Sequence, residues 1–257
     1  MNKIELIRKI IQKKEFSELP RKDVLLAFEN FDKEMYSDEE KIKLTRNLLR
    51  KVFSSFTSKK ILLPKDKPEE WFLKKHLSTK ERLHYYEEIY LKILKGMNRK
   101  LSIIDLGAGI NGLSYNYFKK IGFDVKYVAI EAIGQFVNLM DSYFKKGKLK
   151  GKAIHLSLFE LEKLKKIIIK TKKPRVAFLL KTIDSIEMLE RNYSKKLIFE
   201  ISPLCDRFVI SFSTKSMIKR KKFKAKRNWI INFITENFEV LNIFEFGGEK
   251  YFIFKNK

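Results

Sequence analysis

The chain has 257 residues, 44% of them hydrophobic, and carries 56 Lys+Arg against 31 Asp+Glu, a formal charge of +25. That size suits one domain of about 180 residues with a smaller partner. The lone cysteine, Cys205, excludes an internal disulfide and a cysteine-only metal cluster, and no run approaches the roughly 18 uncharged apolar residues of a membrane span. The opening MNKIELIRKII lacks the apolar core of a signal peptide, so a cytoplasmic monomer without metal or membrane partner is expected.

Residues 3–14, 21–31 and 38–56 place apolar side chains at helical spacing. Ser37 with Glu40 three residues later forms a capping box, so the third helix starts near Asp38. A break follows at TSKKILLPKDKPEE, with Pro64 and Pro68 among charges. The next stretch, WFLKKHLSTKERLHYYEEIYLKIL, ends in a long amphipathic helix in which Ser78 and Glu81 are spaced as a second capping box. Residues 1–75 are therefore expected to form a helical domain, distinct from the domain expected over residues 76–257.

From Leu101 onward, apolar runs of strand length (101–106, 125–131, 153–158, 175–180, 207–212) alternate with helical stretches at 112–121, 134–146, 159–170 and 184–200. That alternation specifies a parallel sheet with helices on both faces. The chain closes with FEVLNIFEF, Gly247-Gly248 and EKYFIFK, a β-hairpin signature. The predicted fold class is α/β: a Rossmann-like sheet with a C-terminal antiparallel hairpin, the architecture of S-adenosylmethionine-dependent methyltransferases, plus the small helical N-terminal unit.

After the first predicted strand the sequence reads IIDLGAGINGLS, with Gly107, Gly109 and Gly112 spelling G-x-G-x-x-G. Glycine there permits positive φ and close approach of a cofactor. Asp105, two residues before the first glycine, suits a ligand bearing an ammonium group and would repel a dinucleotide pyrophosphate. This disfavours a nicotinamide-dependent dehydrogenase, though an unliganded tight turn has the same spelling. Glu131 ends the second strand and is placed to accept from both ribose hydroxyls, while Ser157 and Leu158, at the end of the third, are candidates to flank an adenine.

The pieces HLSTKER (76–82), IIDLGAGIN (103–111), AFLLKTID (177–184) and FVISFSTKS (208–216) resemble the aminoglycoside-resistance 16S ribosomal RNA (guanine-N7) methyltransferases, in order and over nearly the whole chain. The resemblance implies S-adenosylmethionine as cofactor and ribosomal RNA or the small ribosomal subunit as partner. It also implies that Arg82 meets the methionine carboxylate, with His76, Ser78 and Glu81 shaping the same wall. Gly107, Ala108 and Gly109 would line the methionine, Glu131 would hold the ribose, and Leu180 and Lys181 would sit beside the transferable methyl, with Lys181 as the catalytic candidate. Ala108 replaces the family's usual cysteine and Glu131 its usual aspartate. A basic stretch, MIKRKKFKAKR, follows SFSTKS where the family has glycine, which leaves the target nucleotide open.

Guanine N7 has a free lone pair and needs no general base. The sequence agrees by omission, having neither N-P-P-Y nor D-P-P-Y after the fourth strand and no cysteine placed to attack a pyrimidine carbon. Residues 1–50 are nearly balanced in charge, whereas Lys215, Lys219, Arg220, Lys221, Lys222, Lys224, Lys226 and Arg227 form a run without an acidic residue, suited to tracking RNA phosphates. Trp229 reads as an anchor for the following helix. Two rival readings are methylation of another RNA or atom, and a non-catalytic ribosome-binding protein on the same scaffold.

Overall fold

The structure, a computed structural model, describes residues 1–54, 67–214 and 227–257. Seven strands form one sheet: β1 (Lys100–Leu106), β2 (Asp124–Glu131), β3 (Gly151–His155), β4 (Arg175–Leu180), β5 (Arg207–Ser213), β6 (Phe238–Phe246) and β7 (Glu249–Asn256), in the order β3-β2-β1-β4-β5-β7-β6. The first five are parallel, and β7 runs antiparallel to both β5 and β6. The Rossmann-like sheet with a closing hairpin is thus the observed architecture. Reversal of strand order beside β1 opens a crevice at the carboxyl ends of the parallel strands, where ligands of such sheets bind.

Strand side chains alternate between two cores because successive Cβ atoms point to opposite faces. Ile104, Leu106, Val128, Ile130, Ala177 and Leu179 enter one core, and Ile103, Tyr127, Ala129, Val176 and Phe178 enter the other. The first core also takes in Leu6, Ile10, Phe16, Val24 and Phe28. These come from α1 (Lys3–Ile11), α2 (Arg21–Glu29) and the segment between them, with α3 (Asp38–Leu49) completing the unit. The N-terminal helices are therefore packed onto the sheet layer. A side-chain amide bond from Asn30 to the Leu189 carbonyl, 3.3 Å, pins α2 there as well. Ser37 and Glu40 make both bonds of their capping box, as their spacing predicts, while α3 ends at Leu49 and continues as a wider turn over Arg50–Ser54.

The second core is covered by α4 (Glu69–Lys75) and α6 (Tyr86–Leu94), with the polar α5 (Leu77–Arg82) between them, then by a tight turn at Asn111–Ser114, α7 (Tyr115–Lys120) and α8 (Gly134–Lys146). The predicted long helix after Ser78 is two helices, because the chain turns at residues 83–85. The second capping box does not form. His76, with extended backbone, precedes α5 without any side-chain cap, so Ser78 lies inside the helix. Its Oγ accepts from Arg82 Nη2 one turn later (2.9 Å), and Glu81 turns to Lys181. Buried or distant charges claim both side chains that local spacing assigns to the cap: Arg82 one turn on takes Ser78, and Lys181, 100 positions away, takes Glu81.

The remaining helices, α9 (Leu161–Ile169), α10 (Ile183–Leu189), α11 (Tyr193–Ile201) and α12 (Asn228–Asn237), cover the first core. The predicted helix 184–200 is split, since Asn192 adopts φ 65° and the α11 axis starts afresh. Trp229 is half-buried against the core with Lys195 Nζ 5.5 Å from its ring, which fits the anchoring role. No helix among the described residues is long and apolar enough to cross a membrane.

Candidate active site

A cleft lies at the carboxyl ends of β1, β2 and β4, the usual place for a ligand on such a sheet. His76, Ser78, Arg82, Asp105, Gly107, Ala108, Gly109, Glu131, Leu158, Leu180 and Lys181 all line it. Glu81 stands behind Lys181, and Ser157 behind Leu158, where its Oγ accepts from the Phe159 N–H (3.1 Å). β3 ends at His155, so Ser157 and Leu158 follow the strand instead of ending it.

The glycine loop has the conformation its residues permit. Gly107 and Gly109 sit at φ 69° and 56°, where a Cβ is strained. A Cβ on Gly107 would also come within 2.6 Å of the Thr182 methyl, and one on Gly109 within 3.2 Å of the His76 ring. Glu131 folds back onto this loop. Its two oxygens accept from the backbone N–H groups of Gly109 (2.7 Å) and Ile133 (2.8 Å), leaving a lone pair on each for another donor. Burial raises its carboxyl to about 7 despite those bonds.

Beneath the loop a continuous polar network runs through the second core. Asp105 is 1% exposed and accepts from Asn111 Nδ2 (2.9 Å) and the Tyr127 hydroxyl. Burial raises its carboxyl, with Tyr127, Asn111 and the Arg82 charge pulling the other way. Asn111 Oδ1 in turn accepts from the Tyr86 hydroxyl (2.9 Å) and Arg82 Nη1 (3.4 Å).

Arg82 then meets Glu249, the first residue of β7, in a two-pronged pair with Nε–Oε2 and Nη2–Oε1 both 2.9 Å. Glu249 is fully buried; burial alone would raise its carboxyl, but Arg82 and Lys181 together hold it below the usual range. Lys181 Nζ lies 3.2 Å from Glu249 Oε2 and also pairs with Glu81. Two cations and two carboxylates thus form a neutral cluster at one end of the cleft. Lys181 itself sits at φ 56°, its N–H bonded to the Ser211 carbonyl and Oγ (both 3.1 Å). Such a conformation is uncommon for a side-chain-bearing residue, and such strained residues cluster at functional sites. His76 is buried beside this cluster, and burial with the nearby Arg82 and Lys181 charges lowers it to about 3. It is neutral at physiological pH and a poor base.

Several groups in and around the site escape the sequence reading. Glu249 is 167 positions from Arg82, and its only signal is a buried carboxylate at the start of the closing strand. Asn111 lies inside the quoted IIDLGAGIN stretch, but nothing in the spacing points it at Asp105. From the N-terminal unit come Asp23, Val52 and Phe53. Asp23 is 2% exposed, and burial raises its carboxyl to about 6 against hydrogen bonding from Ser157. Of the basic run, Lys215, Lys219, Arg220, Lys221, Lys222, Lys224 and Lys226 lie outside the described residues. Arg227 is engaged within the fold: Nη2 meets Asp184 at 2.6 Å and Nη1 the Ser213 carbonyl at 2.9 Å. No cluster of three or more metal-ligating side chains occurs among the described residues.

Comparison with known proteins places this cleft in context. The 16S rRNA methyltransferase RmtF, solved in complex with S-adenosyl-L-homocysteine, matches with a TM-score of 0.80 at 15% identity over all of both chains. The 16S rRNA methylase RmtB matches at 0.76 and 16% over 100% of this chain and 99% of that one. An rRNA methylase from Escherichia coli matches at 0.76 and 16% over the whole of both. At such identities the likeness is one of fold. No curated protein matches the sequence. Residues 70–235, which carry the glycine loop, Arg82, Glu131 and Lys181, match the family model described as Ribosomal RNA methyltransferase (FmrO). With that match spanning well over half of the sequence, the chain belongs to the FmrO family of ribosomal RNA methyltransferases.

Proposed function

We propose that the protein transfers the methyl group of S-adenosylmethionine to N7 of a guanine in 16S ribosomal RNA of the small ribosomal subunit. The cleft fits the cofactor on its own terms. Gly107 and Gly109 leave room at the loop, Glu131 keeps two acceptor positions for ribose hydroxyls, and Phe136, Ile133 and Leu158 supply apolar wall. Arg82 supplies positive charge near Asp105 and Asn111, where an amino-acid moiety would find both signs of partner. The cofactor contributes a methyl group on a sulfonium sulfur, which passes to the acceptor by in-line displacement.

The observation that carries the choice of N7 is the closed charge cluster at the methyl end. Glu81 and Glu249 are held by Lys181 and Arg82, and His76 is a poor base. An exocyclic amine or a pyrimidine carbon requires a proton acceptor or nucleophile; N7 requires neither, only alignment. The Lys181 ammonium has three N–H donors. Glu81 and Glu249 take two, and the third is available to guanine O6, next to N7. Lys181 thereby orients the base. RNA reaches the site with its target unstacked, guided by Lys215, Lys219, Arg220, Lys221, Lys222, Lys224 and Lys226, while residues 1–75 position the subunit.

The test incubates purified small subunits with methyl-labelled S-adenosylmethionine and cleaves the RNA with aniline after borohydride reduction, chemistry that cuts at N7-methylguanosine. One strong cleavage site in 16S RNA is expected. Label that resists aniline would move the reaction to another atom. Subunit binding without any label, and without cofactor binding, would favour the non-catalytic reading.

A further inference from the structure

Asp23 is the one carboxylate of the N-terminal helices in the wall of the cleft. It is 2% exposed, yet its Oδ2 has no hydrogen-bond partner. Buried acceptors are almost always satisfied, and leaving one without a donor costs about 1–3 kcal/mol. A carboxylate kept in that state at the edge of a ligand cleft points to a donor that arrives with the ligand.

Its place along the sheet edge says which part of the ligand. In the order β3-β2-β1-β4, Lys181 follows β4, Asp105 and Gly107 end β1, Glu131 ends β2, and Leu158 follows β3. A nucleoside whose ribose meets Glu131 and whose amino-acid tail points toward Asp105 must place its base on the β3 side. That is where Asp23 lies, in contact with Ser157 and beside the apolar Leu158, Phe159 and Leu189 of the same cleft. The side chains charged or titratable around it are Glu160, His155 and Tyr193; none donates to Oδ2, the Tyr193 hydroxyl going to the Leu158 carbonyl. The helix is held firmly: Asn30, one residue past its end, is bonded to Leu189, and Glu18 just before it packs so closely on Gly134 that a Cβ there would fall 2.5 Å from Glu18 Oε2.

From this arrangement we infer that Asp23, on a helix of the N-terminal unit, accepts a hydrogen bond from the exocyclic amine of the cofactor's adenine. The inference rests on the proposed use of S-adenosylmethionine. It makes the N-terminal helices part of the cofactor site in addition to any role toward the ribosome, and it supplies a specificity for a 6-amino purine that Ser157, engaged with Phe159 and Asp23, does not provide.

Calorimetric binding of S-adenosylhomocysteine is compared with that of its 6-desamino analogue, in which hydrogen replaces the amine. A hydrogen bond to a charged group is worth roughly tenfold or more in affinity, so the wild type should prefer the amine-bearing compound by about tenfold. In Asp23→Ala that preference should shrink to about threefold or less. Asp23→Leu, close in size but without any acceptor, guards against a cavity and folding defect and should show the same loss. Equal binding of the two compounds by the wild type, or full preference in both variants, would overturn the assignment of Asp23 while leaving the cofactor reading intact. Failure of the wild type to bind either compound would overturn the cofactor reading and this inference with it.

Discussion

Removing Arg82 should reveal how much of the site's architecture hangs on one buried ion pair. Arg82 and Glu249 are 3% and 1% exposed at the side chain and share two bonds of 2.9 Å. Breaking a buried pair by deleting one partner costs about 3–5 kcal/mol, because the survivor is left as a desolvated charge. In Arg82→Ala, Glu249 still has Lys181 at 3.2 Å, so the lower end, about 3 kcal/mol, applies. At about 2–4 °C per kcal/mol for a protein of this size, the melting temperature should fall by about 6–12 °C. Urea denaturation and calorimetry measure both quantities, and cofactor titration below the transition reports binding separately. Arg82→Met combined with Glu249→Met removes both charges, so the loss should be well below the sum of the two single losses, a coupling of at least about 1 kcal/mol. A melting temperature unchanged within 2 °C in Arg82→Ala, or strict additivity in the double variant, would refute the account of the pair as a buried structural unit. Loss of cofactor binding at unchanged stability would instead make Arg82 a ligand-binding group alone.

Two further outcomes follow from the glycine loop and its carboxylate. Glu131 is raised to about 7, and only its ionised form offers both acceptor positions. Affinity for S-adenosylhomocysteine should therefore fall as pH drops below about 7, and Glu131→Gln should flatten that dependence. For stability without ligand the sign is opposite: the folded carboxyl lies above its ordinary value of 4.5, so its contribution is fullest below that value and is lost as pH rises through about 7. Gly107→Ala, at φ 69° and with its new methyl 2.6 Å from Thr182, should destabilise by about 1–3 kcal/mol and weaken cofactor binding; an unchanged melting curve would count against the strained loop.

The sequence by itself determines the strand–helix alternation, the closing Gly-Gly hairpin and the turn at Gly107 and Gly109, because these follow from local periodicity and from conformations only glycine adopts readily. It also places Arg82, Glu131 and Lys181 at one cleft through their resemblance to a family. Only the tertiary structure decides that Glu81 serves Lys181 instead of a helix cap, that Glu249 neutralises both cations, and that Asp23 reaches the same cleft from a helix some 80 residues upstream of the loop. The physical reason is that periodicity reports which face of an element is buried. The partner of a buried charge depends on which elements the sheet order brings together, and an unpaired carboxylate competes for that partner far more strongly than for a local cap.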